Sequence, residues 1–150
     1  MKTIQLTQGY EAIVDDEDYE LYGSQSWHYS HGYATRKTRA GTVYLHRLIL
    51  GDSLDEVDHI NGDKLDNRKV NLRFATHSQN NMNKPRQSNN TTGFKGVHQL
   101  KSTGKFQAYI KRNGKRMHLG TYTTALDAAR AYVAVSEILF KEFNYKGKRI

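Results

Sequence analysis

One short segment, Val57 to Asn80, carries residue types that can hold a metal ion beside a general base. Asp58 offers an anionic oxygen, Asn80 follows 22 residues later with a neutral carbonyl oxygen, and His59 adjoins Asp58. Oxygen ligands suit Mg²⁺, which keeps water molecules that a phosphate can displace. A neutral imidazole, with an ordinary pKa of about 6.5, can take a proton from water. These residues predict phosphodiester hydrolysis with one metal ion and one histidine.

The elements around these residues are short. The sequence predicts an extended run at Val57–Ile60, a turn at Asn61–Asp63, and a helix over Asn67–Asn83 with Leu72 on its inward face. An isolated Asp-His followed by Asn-Gly is more often a capped turn than an active site. The longer set, which also contains Asn71 and Arg73, favours the nuclease interpretation.

The segment resembles the HNH nuclease motif, the ββα-metal fold, in the phage and intron homing-endonuclease branch where Asp-His opens the motif and Asn-Leu-Arg follows. The resemblance implies that His59 is the general base and that Asp58 and Asn80 ligate one Mg²⁺ (or Mn²⁺) ion. It further implies that Asn71 fixes the hairpin and helps to orient His59. His46 and Arg47 also recur in this branch; we expect Arg47 near the scissile phosphate and His46 in a supporting role.

Composition narrows the class of protein. The 150 residues are 37% hydrophobic and 11% aromatic, which is typical of a folded chain and fits two small modules. The chain has no cysteine, which excludes a disulfide framework and a cysteine-ligated zinc site. It has no apolar run of membrane-spanning length and no signal-peptide core at its N-terminus. We therefore expect a cytoplasmic protein, in the host cytoplasm if it is phage-encoded.

Charge divides the chain unevenly. Residues 1–83 contain 9 Lys and Arg against 12 Asp and Glu, net −3, and residues 84–150 contain 14 against 3, net +11. A clustered basic surface binds phosphate backbones by releasing their counterions. A membrane surface fits less well, because the basic residues alternate with polar and aromatic ones. The second half is therefore predicted to bind double-stranded DNA, with RNA as a weaker alternative.

Between the two parts lies a segment, Asn83–Gly93, with the only proline and a cluster of Asn, Ser and Thr. This composition is typical of a linker. Lys84 and Arg86 within it either follow a phosphate backbone or a minor groove, as extended basic arms do, or simply keep the linker soluble. The predicted domains are a nuclease module at 1–83, a basic linker at 84–92 and a DNA-binding domain at 93–150.

After the linker, the pattern predicts three strands and one helix. The strands are expected at Phe94–Leu100, Lys105–Arg112 and Lys115–Thr121, with a tight Asn113-Gly114 turn between the last two. The helix is expected over Thr124–Phe140, capped by Thr123 or Thr124. In the second strand, Phe106, Ala108 and Ile110 alternate inward and leave a polar, basic face outside.

This segment resembles the Apetala2/ERF-type DNA-binding domain, through Gly93–Val135 and the trailing Phe143-Asn144. The resemblance implies that the three-stranded sheet lies in the DNA major groove. Three positions depart from the plant pattern, with His98 in place of an Arg, Tyr109 in place of an acid and His118 in place of a Trp. The expected DNA-binding residues are Lys84, Arg86, Lys95, His98, Lys105, Tyr109, Lys111, Arg116 and His118.

The first 50 residues are less informative. They predict a strand, then a short helix or turn at the acidic Asp15–Glu20 run, facing water. Trp27, Tyr29 and Tyr33 predict a hairpin whose aromatic side chains form a small core. Thr42–Leu50 is predicted as either a strand or a helix.

The sequence thus predicts an α+β chain: a β-rich ββα-metal module, a linker, and a three-stranded antiparallel sheet packed on one helix. The predicted function is a Mg²⁺-dependent DNA endonuclease of the homing or nicking type. We expect a monomer or weak dimer, without a small-molecule cofactor or membrane partner. The alternative is a catalytically inactive DNA-binding regulator that uses the same basic sheet.

Overall fold

The computed structural model describes residues 1–51 and 53–145, and the fold is of the predicted α+β class. Contacts divide the chain into two compact units, Met1–Thr76 and His77–Ile150. The predicted domain limits stay a prediction. No helix in the described part of the chain combines the length and the apolar composition of a membrane span.

The first unit contains three small antiparallel sheets and two short helices. One sheet pairs β1 (Lys2–Gln5) with β2 (Glu11–Val14), the second orders β3 (His28–Ser30), β4 (Tyr33–Thr38) and β5 (Gly41–Tyr44), and the third pairs β6 (Glu56–His59) with β7 (Leu72–Ala75). The helices are α1 (Asp16–Tyr22) and α2 (Leu45–Leu50), and 3-10 turns occupy Thr7–Gly9 and Lys69–Asn71.

The core of this unit is apolar and draws on most of its elements. It contains Ile4, Leu6, Ala12, Val14, Trp27, Ala34 and Leu45. The predicted aromatic hairpin forms as β3 and β4, and the ambiguous Thr42–Leu50 segment is a strand end followed by α2. The acidic run forms α1, but Asp18 is buried, so the prediction that the run faces water was wrong at this position.

The predicted helix over residues 67–83 was also wrong in its first half. Leu72–Ala75 pairs antiparallel with Glu56–His59, and only His77–Asn83 is helical, as α3. Pairing with β6 satisfies the backbone hydrogen bonds of this segment, and it buries the side chains of Leu72 and Ala75.

The second unit begins with α3 and continues as a three-stranded antiparallel sheet packed on one helix. The sheet order is β10 (Lys115–Tyr122), β9 (Phe106–Arg112) and β8 (Val97–Gln99), and the helix is α4 (Ala125–Phe140), followed by a 3-10 turn at Lys141–Phe143. The first strand is shorter than predicted, whereas the other two and the helix lie within one residue of the prediction.

The helix α4 and the sheet meet closely. Thr124 caps α4 because its side-chain oxygen accepts a hydrogen bond from the backbone N–H of Asp127 at 3.1 Å. Gly96 has φ +73°, and a Cβ there would lie 2.2 Å from the Tyr132 ring of α4. Only glycine therefore allows the ring to pack against the sheet at this point. The core side chains are Met82, Val97, Ala108, Ile110, Ala128, Ala129, Tyr132 and Phe140.

Candidate active site

The β6–β7 hairpin places the Asp-His pair in the interior of the first unit. Asp58 lies opposite Arg73 and His59 opposite Leu72 in the antiparallel register. Asp58 and His59 are 4% and 5% exposed. A carboxylate and an imidazole this deeply buried need defined polar partners, because unpaired polar groups are costly inside a protein.

His59 is held by Asn67. The His59 Nε2 atom lies 3.4 Å from Asn67 Oδ1, while Asn67 Nδ2 donates to the carbonyl oxygen of Leu65 at 3.0 Å. Because the Asn67 oxygen can only accept, Nε2 must carry the imidazole proton, which makes Nδ1 the basic atom. Burial lowers the pKa of His59, and the bond to Asn67 opposes that shift. His59 is therefore neutral at neutral pH, as a general base must be.

Asp58 is compensated by Arg73. One carboxylate oxygen, Oδ2, accepts hydrogen bonds from Arg73 Nε at 2.9 Å and Nη2 at 2.7 Å. A carboxylate can ligate a metal ion through a single oxygen, so this pairing is compatible with a hard cation at Asp58. Among residues 1–51 and 53–145, no three His, Asp or Glu side chains are arranged to hold a metal ion. Besides a carboxylate, hard cations such as Mg²⁺ accept amide oxygens and water as ligands.

Asn71 braces the loop that joins the two strands. Its Oδ1 accepts from the backbone N–H of Asn61 at 3.0 Å, and its Nδ2 donates to the carbonyl oxygen of Asp66 at 2.7 Å. Asp66 in turn binds Arg68 through both carboxylate oxygens, and this pairing lowers the pKa of Asp66. Side-chain hydrogen bonds of Asn71 and Asp66 therefore hold the loop between β6 and β7 closed.

A second imidazole, His46 of α2, packs against the first. The two rings are 5.2 Å apart and nearly perpendicular, and the Tyr33 ring lies 5.3 Å from His46 and 6.1 Å from His59. His46 Nδ1 is buried with no hydrogen-bond partner among the described residues. Burial, with His59 and Arg47 nearby, lowers the pKa of His46 to about 3. His46, which packs against the His59 ring, is therefore uncharged at neutral pH.

Arg47 and Asn80 occupy different elements. The Arg47 guanidinium donates to the carbonyl oxygens of Ser53 at 3.2 Å and Asp55 at 3.1 Å, and so supports the segment that leads into β6. Asn80 lies on α3, which belongs to the second unit. Its role as a ligand stays a prediction.

Five of the expected DNA-binding residues share the outer face of the β8–β9–β10 sheet. The Tyr109 ring stacks on His98 at 4.8 Å and 6°, and the Arg116 guanidinium lies 3.4 Å from the Tyr109 ring centre. His118 pairs with Tyr109 across the strands, and Lys111 pairs with Arg116. Stacking fixes the plane of the Arg116 guanidinium before any ligand binds.

The other expected contacts lie elsewhere in the second unit. Lys84, Arg86 and Lys105 are exposed, and Lys84 Nζ donates to Asn81 Oδ1 at 2.8 Å. Lys95 Nζ donates to the carbonyl oxygen of Met82 at 2.7 Å and to that of Lys84. These two carbonyls lie at the C-terminal end of α3. Lys95 therefore caps this helix and does not project from the sheet.

Sequence reasoning missed Asn67, whose side chain contacts His59 Nε2. Asn67 is 1% exposed, and its side-chain partners are a backbone carbonyl two residues away and a side chain eight residues away. The available signal was a further asparagine inside the motif, four residues before Asn71. Only the closed loop shows that Asn67 faces the imidazole.

Comparisons with known proteins relate the chain to one family of nucleases. Residues 53–82 match the family model described as HNH endonuclease, a range that includes Asp58, His59, Asn67, Asn71 and Asn80. The chain is 31% identical over 143 residues to an uncharacterized HNH endonuclease of Acanthamoeba polyphaga mimivirus, an alignment that covers 91% of this chain and 74% of the relative. No solved structure is significantly similar to the chain.

Proposed function

Because this chain belongs to the HNH endonuclease family, we propose that it cuts duplex DNA by metal-dependent hydrolysis with His59 as the general base. The enzyme class is that of the family, a hydrolase of DNA phosphodiester bonds. The observation that carries the catalytic assignment is the buried, neutral His59, held through Nε2 by Asn67 and adjoining the Asp58 carboxylate.

The proton transfer follows from the tautomer. With the proton on Nε2 directed at Asn67, Nδ1 takes a proton from the attacking water and His59 becomes an imidazolium. The new positive charge lies near the carboxylates of Asp58, Asp63 and Asp66, which favour the charged form. Asn71 keeps the loop closed while the charge on His59 changes.

We assign Asp58 and Asn80 as the ligands of one Mg²⁺ or Mn²⁺ ion, as the family resemblance implies. When bound, such an ion supplies Lewis-acid stabilisation of the phosphate and of the departing 3′ oxygen. Arg73 holds the Asp58 carboxylate in one orientation, because its Nε and Nη2 both donate to Oδ2. Arg47, proposed to lie near the scissile phosphate, supports the chain just before β6.

We further propose that the second unit is an Apetala2/ERF-like domain that places the DNA. Exposure of Lys111, Arg116 and His118 on one sheet face supports this assignment. Arg and Lys side chains of this kind reach guanine edges or phosphates. A monomer with one active site cuts one strand, so we propose nicking. We also propose a cytoplasmic location, which is the host cytoplasm if the protein is phage-encoded.

The test is nicking of supercoiled plasmid DNA by the full chain in Mg²⁺, beside an EDTA control and the His59→Ala variant. We expect nicked circles in Mg²⁺ and none in EDTA. His59→Ala should lower the cleavage rate by at least about 10²-fold, the contribution expected of a general base. DNA affinity measured in EDTA should be the same for both proteins.

Two results would contradict the proposal in different ways. Cleavage by His59→Ala at the native rate would mean that another group is the base. Tight DNA binding without nicking across Mg²⁺, Mn²⁺ and several DNA substrates would favour the catalytically inactive regulator instead.

A further inference from the structure

Most basic side chains of the acidic first unit are already engaged. Residues 1–76 contain the nine Lys and Arg of the N-terminal half. Six of these cations are held by carboxylates or backbone carbonyls. They are Lys2 with Glu20 at 2.5 Å, Arg68 with Asp66 at 2.6 Å, Lys69 with Glu17 at 2.5 Å, Arg73 with Asp58 at 2.7 Å, Arg47 with the carbonyls of Ser53 and Asp55, and Lys64 with the carbonyl of His31 at 3.3 Å.

The other three cations, Arg36, Lys37 and Arg39, lie together on β4 and the turn that follows it. No carboxylate within residues 1–51 and 53–145 forms an ion pair with any of them. The Arg36 guanidinium lies 5.5 Å from the centre of the Trp27 ring, which anchors the base of the hairpin. Among the described residues of this unit, these three are therefore the cations that neither a carboxylate nor a backbone carbonyl holds, and they lie together.

That place is the tip of a hairpin. Ala34 and Thr35 are buried, whereas residues 37–42 are all exposed. Lys37 pairs with Thr42 across the ribbon, and Thr38 Oγ1 donates to the carbonyl oxygen of Gly41 at 3.0 Å. Lys, Arg and Thr are side chains that bind phosphate oxygens, and a two-stranded ribbon fits the major groove of B-DNA.

The same strand reaches the catalytic histidine at its other end. Tyr33, the first residue of β4, packs its ring against His46 and His59. At about 3.4 Å per residue, the strand from Tyr33 to Thr38 spans about 17 Å, or about five base-pair steps of duplex DNA. A phosphate bound at the tip would therefore lie within a few base pairs of the bond that His59 helps to break.

We propose that Lys37 and Arg39, at the β4–β5 hairpin tip, form a second DNA-binding surface that contacts the phosphate backbone within about five base pairs of the cut. This surface belongs to the nuclease unit and is separate from the β8–β9–β10 face. The proposal rests on the proposed DNA endonuclease function. The role of this hairpin-tip surface is to position the DNA duplex against His59.

The experiment measures DNA affinity of the full chain in EDTA at several salt concentrations. The variant is Lys37→Gln/Arg39→Gln, which changes two exposed side chains. Each lost phosphate contact should lower the slope of log affinity against log salt by about 0.9, so the double variant should lose about 1.8. Hydroxyl-radical footprinting should show lost protection within about five base pairs of the nick, as the strand length requires.

The matched control is Lys2→Gln/Lys69→Gln, which removes the same charge from the same unit at cations that carboxylates already neutralise. Its salt slope and footprint should equal those of the native protein. Equal effects of the two double variants would overturn the proposal in favour of a general charge effect, and so would an unchanged slope in Lys37→Gln/Arg39→Gln. If the native protein nicks DNA and Lys37→Gln/Arg39→Gln keeps the native salt slope and footprint, only the inference about the hairpin tip fails. If native protein neither binds nor nicks DNA, the proposed function fails with it.

Discussion

The surroundings of His59 and the outer face of the β8–β9–β10 sheet use polar side chains in opposite ways. Around His59, the polar groups are buried and tied by hydrogen bonds, as with Asp58, Asn67 and Asn71. On the sheet face, Lys111 and Arg116 are exposed and Arg116 is held by stacking on Tyr109. The first arrangement fixes the positions of buried polar atoms, and the second leaves positive charge exposed to solvent. Substitutions in the first region should therefore change stability or turnover, and those in the second should change affinity.

The largest expected effect is at the buried ion pair. Arg73→Gln leaves the Asp58 carboxylate buried without its cation, which should cost about 3–5 kcal/mol in the free energy of unfolding. Urea unfolding followed by fluorescence measures this in the first unit, because the protein's single tryptophan is the buried Trp27. The matched control, Lys2→Gln, breaks an exposed pair with Glu20 and should cost about 0–1 kcal/mol. Equal losses in the two variants would remove the distinction between the regions.

A smaller effect is expected where a neutral partner holds the base. Asn67→Leu removes the acceptor for His59 Nε2 and should lower kcat by about 10- to 100-fold with little change in KM. Asn67→Asp keeps an acceptor oxygen and adds negative charge, which raises the pKa of His59. Its kcat should exceed that of Asn67→Leu, and the acid limb of its pH–rate profile should move to higher pH. An unmoved limb would mean that position 67 only supports the fold.

The regular parts of the second unit were predictable because each has a local signal. Asn113-Gly114 marks the tight turn, alternating Phe106, Ala108 and Ile110 mark a half-buried strand, and Thr124 marks the helix start. The same signals favour an α+β fold.

The catalytic half was less predictable because its elements depend on distant partners. The strand Leu72–Ala75 has only four residues, and its pairing with Glu56–His59 overrides the helical pattern of the surrounding sequence. The pairing of Asn67 with His59, eight residues earlier, depends on how the loop between β6 and β7 closes. The types and spacing of Asp58 and His59 favour the nuclease interpretation, whereas the residues that hold them appear only in the folded chain.

Acid should weaken the first unit through His46. Its folded pKa, about 3, lies below the unfolded value of about 6.5, so protonation favours the unfolded state. This contribution to stability is present above pH 6.5 and is lost as pH falls toward 3. We expect a loss of about 2 kcal/mol between pH 7 and pH 5 from this group. Urea unfolding of His46→Phe should show a flatter pH dependence, whereas the control His28→Gln, at an exposed histidine, should match the native protein. An equal pH dependence in all three would show that His46 is not the cause.

The smallest expected effect separates two lysines of the second unit. Lys95 Nζ is engaged with the carbonyls of Met82 and Lys84, whereas Lys111 is exposed on the sheet face. Lys95→Met should therefore cost about 1 kcal/mol of stability, seen as a lower Tm by circular dichroism, and leave the salt dependence of DNA affinity nearly unchanged. Lys111→Met should leave the Tm unchanged and lower the salt slope by about 0.9. If Lys95→Met lowers the salt slope as much as Lys111→Met does, Lys95 leaves its helix cap to bind DNA, and the boundary between supporting and DNA-binding residues in this unit is set by the ligand.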